Sequence, residues 1–511
     1  MTTYHNTFIP FTDVYELGGN GVFHNLERKE GDGRNLVVVP SSLVRSLGQL
    51  EKKGMVGAAE SLEYLTSAMT RKTLIAEGSA LAQPLAGLDI IIIDDSDQPL
   101  DVHALIGKLP EEYRAVEPVI VTNDRKDHIT HGLRGVRVER PQFLQVSADI
   151  VNEGIIDGNA ALLERLYSQQ QTVPCEEAES ILGRDLFPWQ FLRFAGSPKY
   201  VYAKVVGKPI REGDSVLGLE DKVVKLLDEK EYARKIRIGE HVRNSLFGIS
   251  PRNMEQYLAL QYGLLNPDVS IFFLCGSQGS GKTLLSYVAA IDSVLVYDKG
   301  VREKRMMDGT GKNGSFEQIV LLKPTEVMGG KRREVGHLPG NLFEKIRPHL
   351  DPYIDAHRES DLGELFPFED LLRHPKFRNQ LFNEPRSDDG KKKIAGEAYL
   401  PAHKEVIEMT YSGFIRGRSF SNTLVLVDEA QNYTPYELKT ILERLGPGCK
   451  AIVMGDPLQV DNVGLCSREI NGLTSLIKHY IGQPFSGLVK LSTNYRSEVS
   501  RRAGELKVFS S

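Results

Sequence analysis

The sequence predicts an α/β protein built on parallel sheets, and three observations carry that prediction. Short β-branched runs recur along the chain, helical stretches separate them, and in the second half each run opens into a loop of polar or charged residues. Buried strands alternating with helices are the mark of parallel sheets, which are covered on both faces. Ligands of such sheets sit at the carboxyl ends of the strands, so those loops are expected to converge on one site. A chain of 511 residues is longer than a single core organises, and about two or three domains are expected.

Residues 1–160 read as a first α/β domain. Asn35–Val39 (NLVVV) is a strand that runs through Pro40 into a helix-like segment, Ser41–Lys53, and Asp89–Ile93 and Val119–Val121 are further buried strands. Residues 161–240 read as a linker or small β-rich module. Within it Lys199–Val206 alternates like a strand, Pro209–Gly218 is rich in turn formers, and Leu219–Ile238 has a charged, helical pattern. Residues 241–511 carry the strongest signals, with strands at Ile271–Leu274, Ile319–Leu322, Leu424–Val427 and Ala451–Met454. A charged, proline-dotted stretch near 358–404, including SDDGKKK at Ser387–Lys393, interrupts the alternation and reads as an insertion.

The charge balance, 63 basic against 68 acidic side chains for a net −5, excludes a surface coated in positive charge while leaving room for a local basic groove. Cys175, Cys275, Cys449 and Cys466 show no CxxC spacing, so neither a zinc site nor a disulfide framework is expected, and a reducing cytoplasm fits best. The N-terminus lacks the basic start and apolar run of a signal peptide. The longest apolar runs, such as Ile90–Ile93 and Thr423–Val427, are strand-sized and cannot cross a bilayer.

Gly276-Ser277-Gln278-Gly279-Ser280-Gly281-Lys282-Thr283 is a complete GxxxxGK[ST] motif, entered by a strand and left by an amphipathic helix. Glycines let the backbone wrap closely enough for successive N–H groups to face phosphate oxygens. The helix that follows offers free N–H groups and the positive end of its dipole to the same anion. Lys282 is expected to neutralise the β and γ phosphates and the Thr283 hydroxyl to ligate Mg2+. Downstream, Leu424–Val427 ends in Asp428-Glu429. Asp428 is placed to hold the Mg2+ and Glu429 to orient and deprotonate an attacking water. A third strand delivers Gly455-Asp456-Pro457-Leu458-Gln459, in which Asp456 and Gln459 are expected near the γ-phosphate as its sensors.

Further motifs accompany these. Pro251-Arg252-Asn253-Met254-Glu255-Gln256 precedes the phosphate loop, Leu322-Lys323-Pro324 and Gly336–Gly340 with Lys345 follow the next strand, Arg416-Gly417-Arg418 precedes Asp428–Asn432, and Thr493-Asn494-Tyr495-Arg496 lies near the end. Together they resemble the PhoH family of ATPases, related to the core of superfamily-one helicases, and the resemblance implies a RecA-like domain. Lys323 departs from the pattern, standing where arginine is commoner, as does the wording Tyr495-Arg496-Ser497. The resemblance implies that Gln256 reads the adenine edge, hence ATP, that Arg418 and Arg496 are the arginines of the site, and that copies assemble in a hexameric ring. One core needs an arginine finger from elsewhere, and packing copies in a ring would bring Arg496 or Arg418 to a neighbour's γ-phosphate; the sequence alone leaves open whether either acts in cis or in trans.

Val37–Val44, a strand–proline–helix entry, and Val119–Asp124, a strand ending in aspartate, resemble a PIN nuclease domain, which the resemblance to a two-domain PIN–PhoH arrangement implies. The match is degenerate at its metal-binding positions. Phe11 stands where an aspartate belongs, Arg45 or Ser46 stands in place of an acidic residue, and only Asp124 with one of Asp94, Asp95, Asp97 or Asp101, Asp97 foremost, is left. Asp13 would restore a carboxylate if the strand were shifted by two residues.

The function expected is therefore ATP hydrolysis acting on RNA, by a helicase or remodelling factor, with ribonuclease activity not expected. Lys331-Arg332-Arg333, Arg416, Arg418 and Arg501-Arg502 are the candidate basic track. An ATP-controlled binding protein that never moves along a strand, or a PIN-dependent ribonuclease coupled to the ATPase, shares the same motifs. Stimulation of hydrolysis by RNA separates them.

Overall fold

The computed structural model describes residues 4–499 and 502, apart from 30–32, 53–54, 71, 77–78, 96–101, 114–115, 133, 197–198, 214, 239–240, 296–315, 325–341, 366, 373–405, 412–414, 416 and 462–465. The chain divides into two compact units. One comprises residues 1–147 with 431–440 and 460–475, and the other comprises 148–430, 441–459 and 476–511. The fold is mixed α/β with sheets that are largely parallel, as the sequence predicts.

The first unit holds a seven-stranded sheet made of β1 (Tyr4–Pro10), β2 (Arg34–Pro40), β3 (Thr73–Ala76), β4 (Ser79–Leu85), β5 (Leu88–Ile93), β6 (Pro118–Val121) and β7 (Arg137–Glu139), in the order β3-β4-β5-β2-β1-β6-β7. Its central pairs β5/β2, β2/β1 and β1/β6 are parallel. The run Leu36–Val39 is fully buried because helices pack on both faces, which is why it shows no alternation. The helix Ser41–Lys52 starts directly after Pro40.

The second unit holds two main sheets. The smaller is made of β8 (Ile155–Asp157), β9 (Thr172–Pro174), β10 (Phe191–Phe194), β11 (Val201–Glu212) and β12 (Ser215–Leu226), in the order β8-β10-β11-β12-β9. Here the structure corrects two expectations. Pro209–Gly218 is not a turn-rich loop, since the turn lies beyond Glu212 and the residues on either side extend a hairpin of two twelve-residue strands. Leu219–Ile238 is strand as far as Leu226, followed by a single helical turn, Glu229–Tyr232, closed by a capping box between Asp228 and Glu231. The charges at Glu220, Asp221 and Lys222 mimic a helix surface, but they lie on the exposed half of the hairpin, where polar side chains cost nothing. A short pair, β13 (Ile236–Ile238) and β14 (His241–Arg243), leads into the remainder of the unit. Trp189 is buried and donates its indole N–H to the Pro484 carbonyl at 2.7 Å.

The larger sheet consists of β15 (Ile271–Gly276), β16 (Gln318–Lys323), β17 (Ile407–Tyr411), β18 (Thr423–Val427), β19 (Lys450–Gly455) and β20 (Ser486–Leu491), in the order β17-β16-β18-β19-β15-β20. Every pair is parallel, and all of β15, β18 and β19 is buried. Phe272, Leu274, Leu426, Ile452 and Met454 belong to one apolar core with the helix Lys282–Leu295. Each such side chain stabilises by about 1.5–3 kcal/mol, enough to hold the strand ends in register. The π-helical turn Ala259–Leu264 lies so close to β15 that a Cβ on Gly263 would sit 2.1 Å from the Phe272 ring. Of the region 358–404 read as an insertion, the last residues of the helix Leu342–Glu359 and the turns to Leu371 are described, and 373–405 lies outside the described residues. No described helix is long and apolar enough to cross a membrane.

Candidate functional site

Three of the adjacent strands, β18, β19 and β15, deliver the polar loops singled out in the sequence. Between Gly276 and Lys282 the chain makes the tight turn that its glycines allow. Gly276, Gly279 and Gly281 have φ of 147°, 78° and 95°, left-handed values that other residues adopt only with strain. Space excludes a side chain as well. A Cβ on Gly279 would lie 2.5 Å from Asn494 Oδ1, and one on Gly281 would lie 3.0 Å from Gln256 Nε2. Ser280 Oγ donates to the Ser277 carbonyl at 2.8 Å, closing the loop from inside. Lys282 opens the helix Lys282–Leu295 and folds back, its Nζ donating to the carbonyls of Gly276 at 2.5 Å and Ser277 at 3.1 Å. Thr283 is the second residue of the same helix. This cradle fits a polyphosphate. It offers a lysine, a helix start and glycine-lined backbone where a side chain would intrude.

Asp428 follows β18 and is buried. Its Oδ1 accepts the Glu429 N–H at 3.0 Å, while its Oδ2 accepts Lys323 Nζ at 2.5 Å and the Tyr353 hydroxyl at 3.3 Å. Lys323, the last residue of β16, lies with its ammonium 5.7 Å from the centre of the Tyr353 ring. Glu429 has φ of 53°, a strained setting for a non-glycine residue of the kind found at functional sites. Asp456, after β19, is tied to its own loop. Its carboxylate accepts Leu458 N–H and Gln459 Nε2, each at 3.0 Å, so Gln459 is aimed by Asp456.

Gln256, expected at the adenine edge, is held here by two backbone partners. Its side chain is only 4% exposed with its residue. Nε2 donates to the Ser280 carbonyl at 2.9 Å and Oε1 accepts Arg252 N–H at 2.8 Å. The amide thus braces the phosphate loop from behind. The two arginines lie apart. Arg418 grips Glu408 with both Nη atoms, at 2.5 and 3.0 Å, at the β17 edge, and this pairing raises its pKa further. Arg496 lies against Gln278 of its own loop, Nη1 to Oε1 at 3.4 Å. Of the basic track, Arg502 pairs with Glu498, while 331–333, 416 and 501 lie outside the described residues.

In the first unit the carboxyl ends of β5, β2, β1 and β6 are neighbours and gather polar groups. Asp95 accepts Ser42 N–H at 2.7 Å and Ser41 Oγ at 3.0 Å, and also the Ser42 hydroxyl. Phe11, which the PIN resemblance sets where an aspartate is expected, is buried edge-on to His131. Asp13 lies near β6, accepting Asn123 N–H at 2.6 Å and the Thr122 hydroxyl at 3.1 Å. Burial pushes the Asp13 carboxyl up to about 6, against the lowering by Asn123 and Thr122, and the charge of Asp127 adds to the rise. Asp124 is exposed and accepts Lys126 N–H at 2.8 Å, starting the next helix. Arg45 points to solvent. Asp97 and Asp101 lie outside the described residues. Among the described residues no group of three or more His, Cys, Asp or Glu could hold a metal ion.

The sequence reading missed Tyr353 as a partner of Asp428, and it quoted Asn253, Lys323 and Tyr495 within motifs without giving them contacts. The signal for Lys323 was a lysine ending a buried strand. Tyr353 gave none, because its partner Asp428 is 75 residues away.

A family described as "PhoH-like protein" matches residues 248–505. "Protein PhoH2" of Bacillus subtilis is 32% identical over 292 residues, covering 57% of this chain and 53% of that protein. A "PhoH-like protein" of Synechocystis is 33% identical over 233 residues, covering 46% of this chain and 52% of that protein. "Protein PhoH2" of Mycolicibacterium smegmatis is 27% identical over 274 residues, covering 54% and 50%. The chain spans about half the length of the curated relatives it matches.

Proposed function

Since the chain belongs to the PhoH family of P-loop ATPases, we propose that it hydrolyses ATP and uses the cycle to act on RNA, as a helicase or remodelling factor. The observation that carries the reading is the adjacency of β18, β19 and β15, whose ends bear Asp428-Glu429, Asp456 and the phosphate loop. A reader of the γ-phosphate and a base for water belong beside the loop that binds the phosphates, and these strands supply both.

In this reading the loop backbone and Lys282 bind the phosphates, Lys282 leaving the carbonyls of Gly276 and Ser277 to do so. The Thr283 hydroxyl and the Asp428 carboxylate are hard oxygen donors that suit magnesium, which when bound offsets charge on the β and γ phosphates. Glu429 orients the attacking water and takes its proton. Gln459, aimed by Asp456, registers whether the γ-phosphate is present. RNA as partner and a ring of copies, hexameric in the family resemblance, belong to the same proposal.

The test is turnover of ATP by the full chain with and without single strands of RNA and of DNA, at several protein concentrations. RNA-stimulated hydrolysis supports the reading. Hydrolysis indifferent to every strand favours an ATP-controlled binding protein, and absence of nucleotide binding would sink both.

A further inference from the structure

Beyond Leu491 the chain turns back over the outside of the phosphate loop and is fastened there. Ser492 N–H donates to Glu255 Oε2 at 2.7 Å, Asn253 Nδ2 donates to Thr493 Oγ1 at 3.3 Å, and Tyr495 N–H donates to the Gly279 carbonyl at 2.9 Å. The Arg252 guanidinium lies 5.1 Å from the centre of the Tyr495 ring, close enough for a cation–π contact. Asn494 Oδ1 then accepts Arg496 N–H at 2.8 Å, closing a turn that sends the arginine back along the loop. The Arg496 stem fills the space beside Gly279, its Cγ and Cδ lying 2.6 and 2.9 Å from where a Cβ on that glycine would stand.

We propose that Arg496 binds the phosphates held by its own chain's loop, as a second cation beside Lys282, and that Thr493–Tyr495 is the clasp that holds it there. The inference rests on reading the loop as a nucleotide site. A guanidinium carries its donors in a fixed fork matched to phosphate oxygens, and the side-chain contact made here, one neutral amide of Gln278 at 3.4 Å, uses little of that capacity. Lys282 addresses the loop from the helix side and Arg496 from the outer side. An arginine reaching across to a neighbouring copy would have to leave the turn made by Asn494 and the packing on Gly279. Arg418, the other arginine considered for that task, is held on Glu408 of its own chain.

The experiment compares the full-length protein with Arg496→Ala, Arg496→Lys and Lys282→Ala, using a fluorescent ATP analogue for affinity and phosphate release for turnover. Arg496→Ala is expected to lower turnover per chain by about tenfold or more, with Arg496→Lys intermediate and all melting temperatures unchanged. Turnover per chain of the unaltered protein is expected to be independent of protein concentration. Mixtures of Arg496→Ala with Lys282→Ala are expected to show no more than the sum of the separate activities. Recovery of activity in the mixture would overturn the proposal, because it would place the arginine at a neighbour's site. So would an Arg496→Ala protein with unaltered affinity and turnover. Retention of nucleotide binding by Lys282→Ala would instead remove the reading of the loop itself. Should Arg496→Ala fail to fold, Tyr495→Ala, which loosens the clasp and keeps the arginine, is expected to reduce turnover in the same direction, and no reduction would count against the proposal.

Discussion

Lys323 Nζ stands 2.5 Å from Asp428 Oδ2, and both side chains are almost withdrawn from water, at 7% and 6% exposure. A buried ion pair gives little net stability when complete, but removing one member leaves an uncompensated charge at a cost of about 3–5 kcal/mol. Lys323→Met is therefore expected to lower stability by about that amount, while Lys323→Met with Asp428→Asn costs less than the single change. Urea unfolding followed by circular dichroism decides it. An unchanged midpoint in the single variant would show that the pair contributes nothing.

Glu429 is expected to be separable from binding. Glu429→Gln keeps the backbone N–H that donates to Asp428 and the side-chain shape, and removes the base. Such a protein should bind the fluorescent ATP analogue as the parent does, with phosphate release reduced by about a hundredfold or more. Parent-like release would show that another group takes the proton.

Gln256 gives a sharper contrast. Its amide bridges Ser280 and Arg252, so Gln256→Ala should cost about 1–3 kcal/mol by leaving buried backbone groups unpaired, with the relative affinities for ATP and GTP left as in the parent. Competition binding with the two nucleotides measures it. A change in those relative affinities with stability intact would return Gln256 to base reading.

Four strands of the larger sheet, β15, β16, β18 and β19, were legible in the sequence because each is a buried apolar run leading into glycine or a charge, and local composition suffices for that, whereas β17 and β20 were not read. The phosphate loop was legible for a similar reason, since its glycines and lysine are contiguous. What escaped depends on contacts between distant residues. Leu219–Leu226 resembles a helix until its partner β11 is known, Tyr353 meets Asp428 only once the helix Leu342–Glu359 has docked, and Arg496 reaches Gln278 across 218 residues. The setting of Asp13 depends likewise on Thr122 and Asn123, about 110 positions away.

Lys450 sets a pH dependence. Its Nζ donates to the carbonyls of Gly263 at 2.6 Å and Asn266 at 2.8 Å, fastening the end of the π-helical turn, and burial lowers its pKa from 10.5 to about 7. Between those values the unfolded chain binds the additional proton. Stability is thus fully present above the upper value and is lost as pH falls toward the lower one, with a slope of up to about 1.4 kcal/mol per pH unit. Lys450→Met should flatten that slope. Unfolding midpoints from pH 7 to 9.5 test it, and parallel curves for the two proteins would rule the lysine out as the source.

The first unit is expected to show little or no cleavage of RNA. Hydrolysis of phosphodiesters on such a sheet calls for several carboxylates left open to divalent ions, which polarise the phosphate and lower the pKa of the attacking water. Here the carboxylates are engaged in holding loops together. Asp95 spends its oxygens on Ser41 and Ser42, Asp13 on Asn123 and Thr122, and Asp124 on the start of a helix. Phe11, set by the PIN resemblance where a ligand is expected, is a buried ring. Asp13, pushed up to about 6, holds a proton more readily than an ordinary carboxylate, which further disfavours an ion at that place. Incubation of labelled RNA with the purified protein and Mg2+ or Mn2+ is expected to give no product above that of an Asp13→Asn, Asp124→Asn double variant. Cleavage by the parent that disappears in the double variant would overturn the expectation and assign these carboxylates to a working metal site.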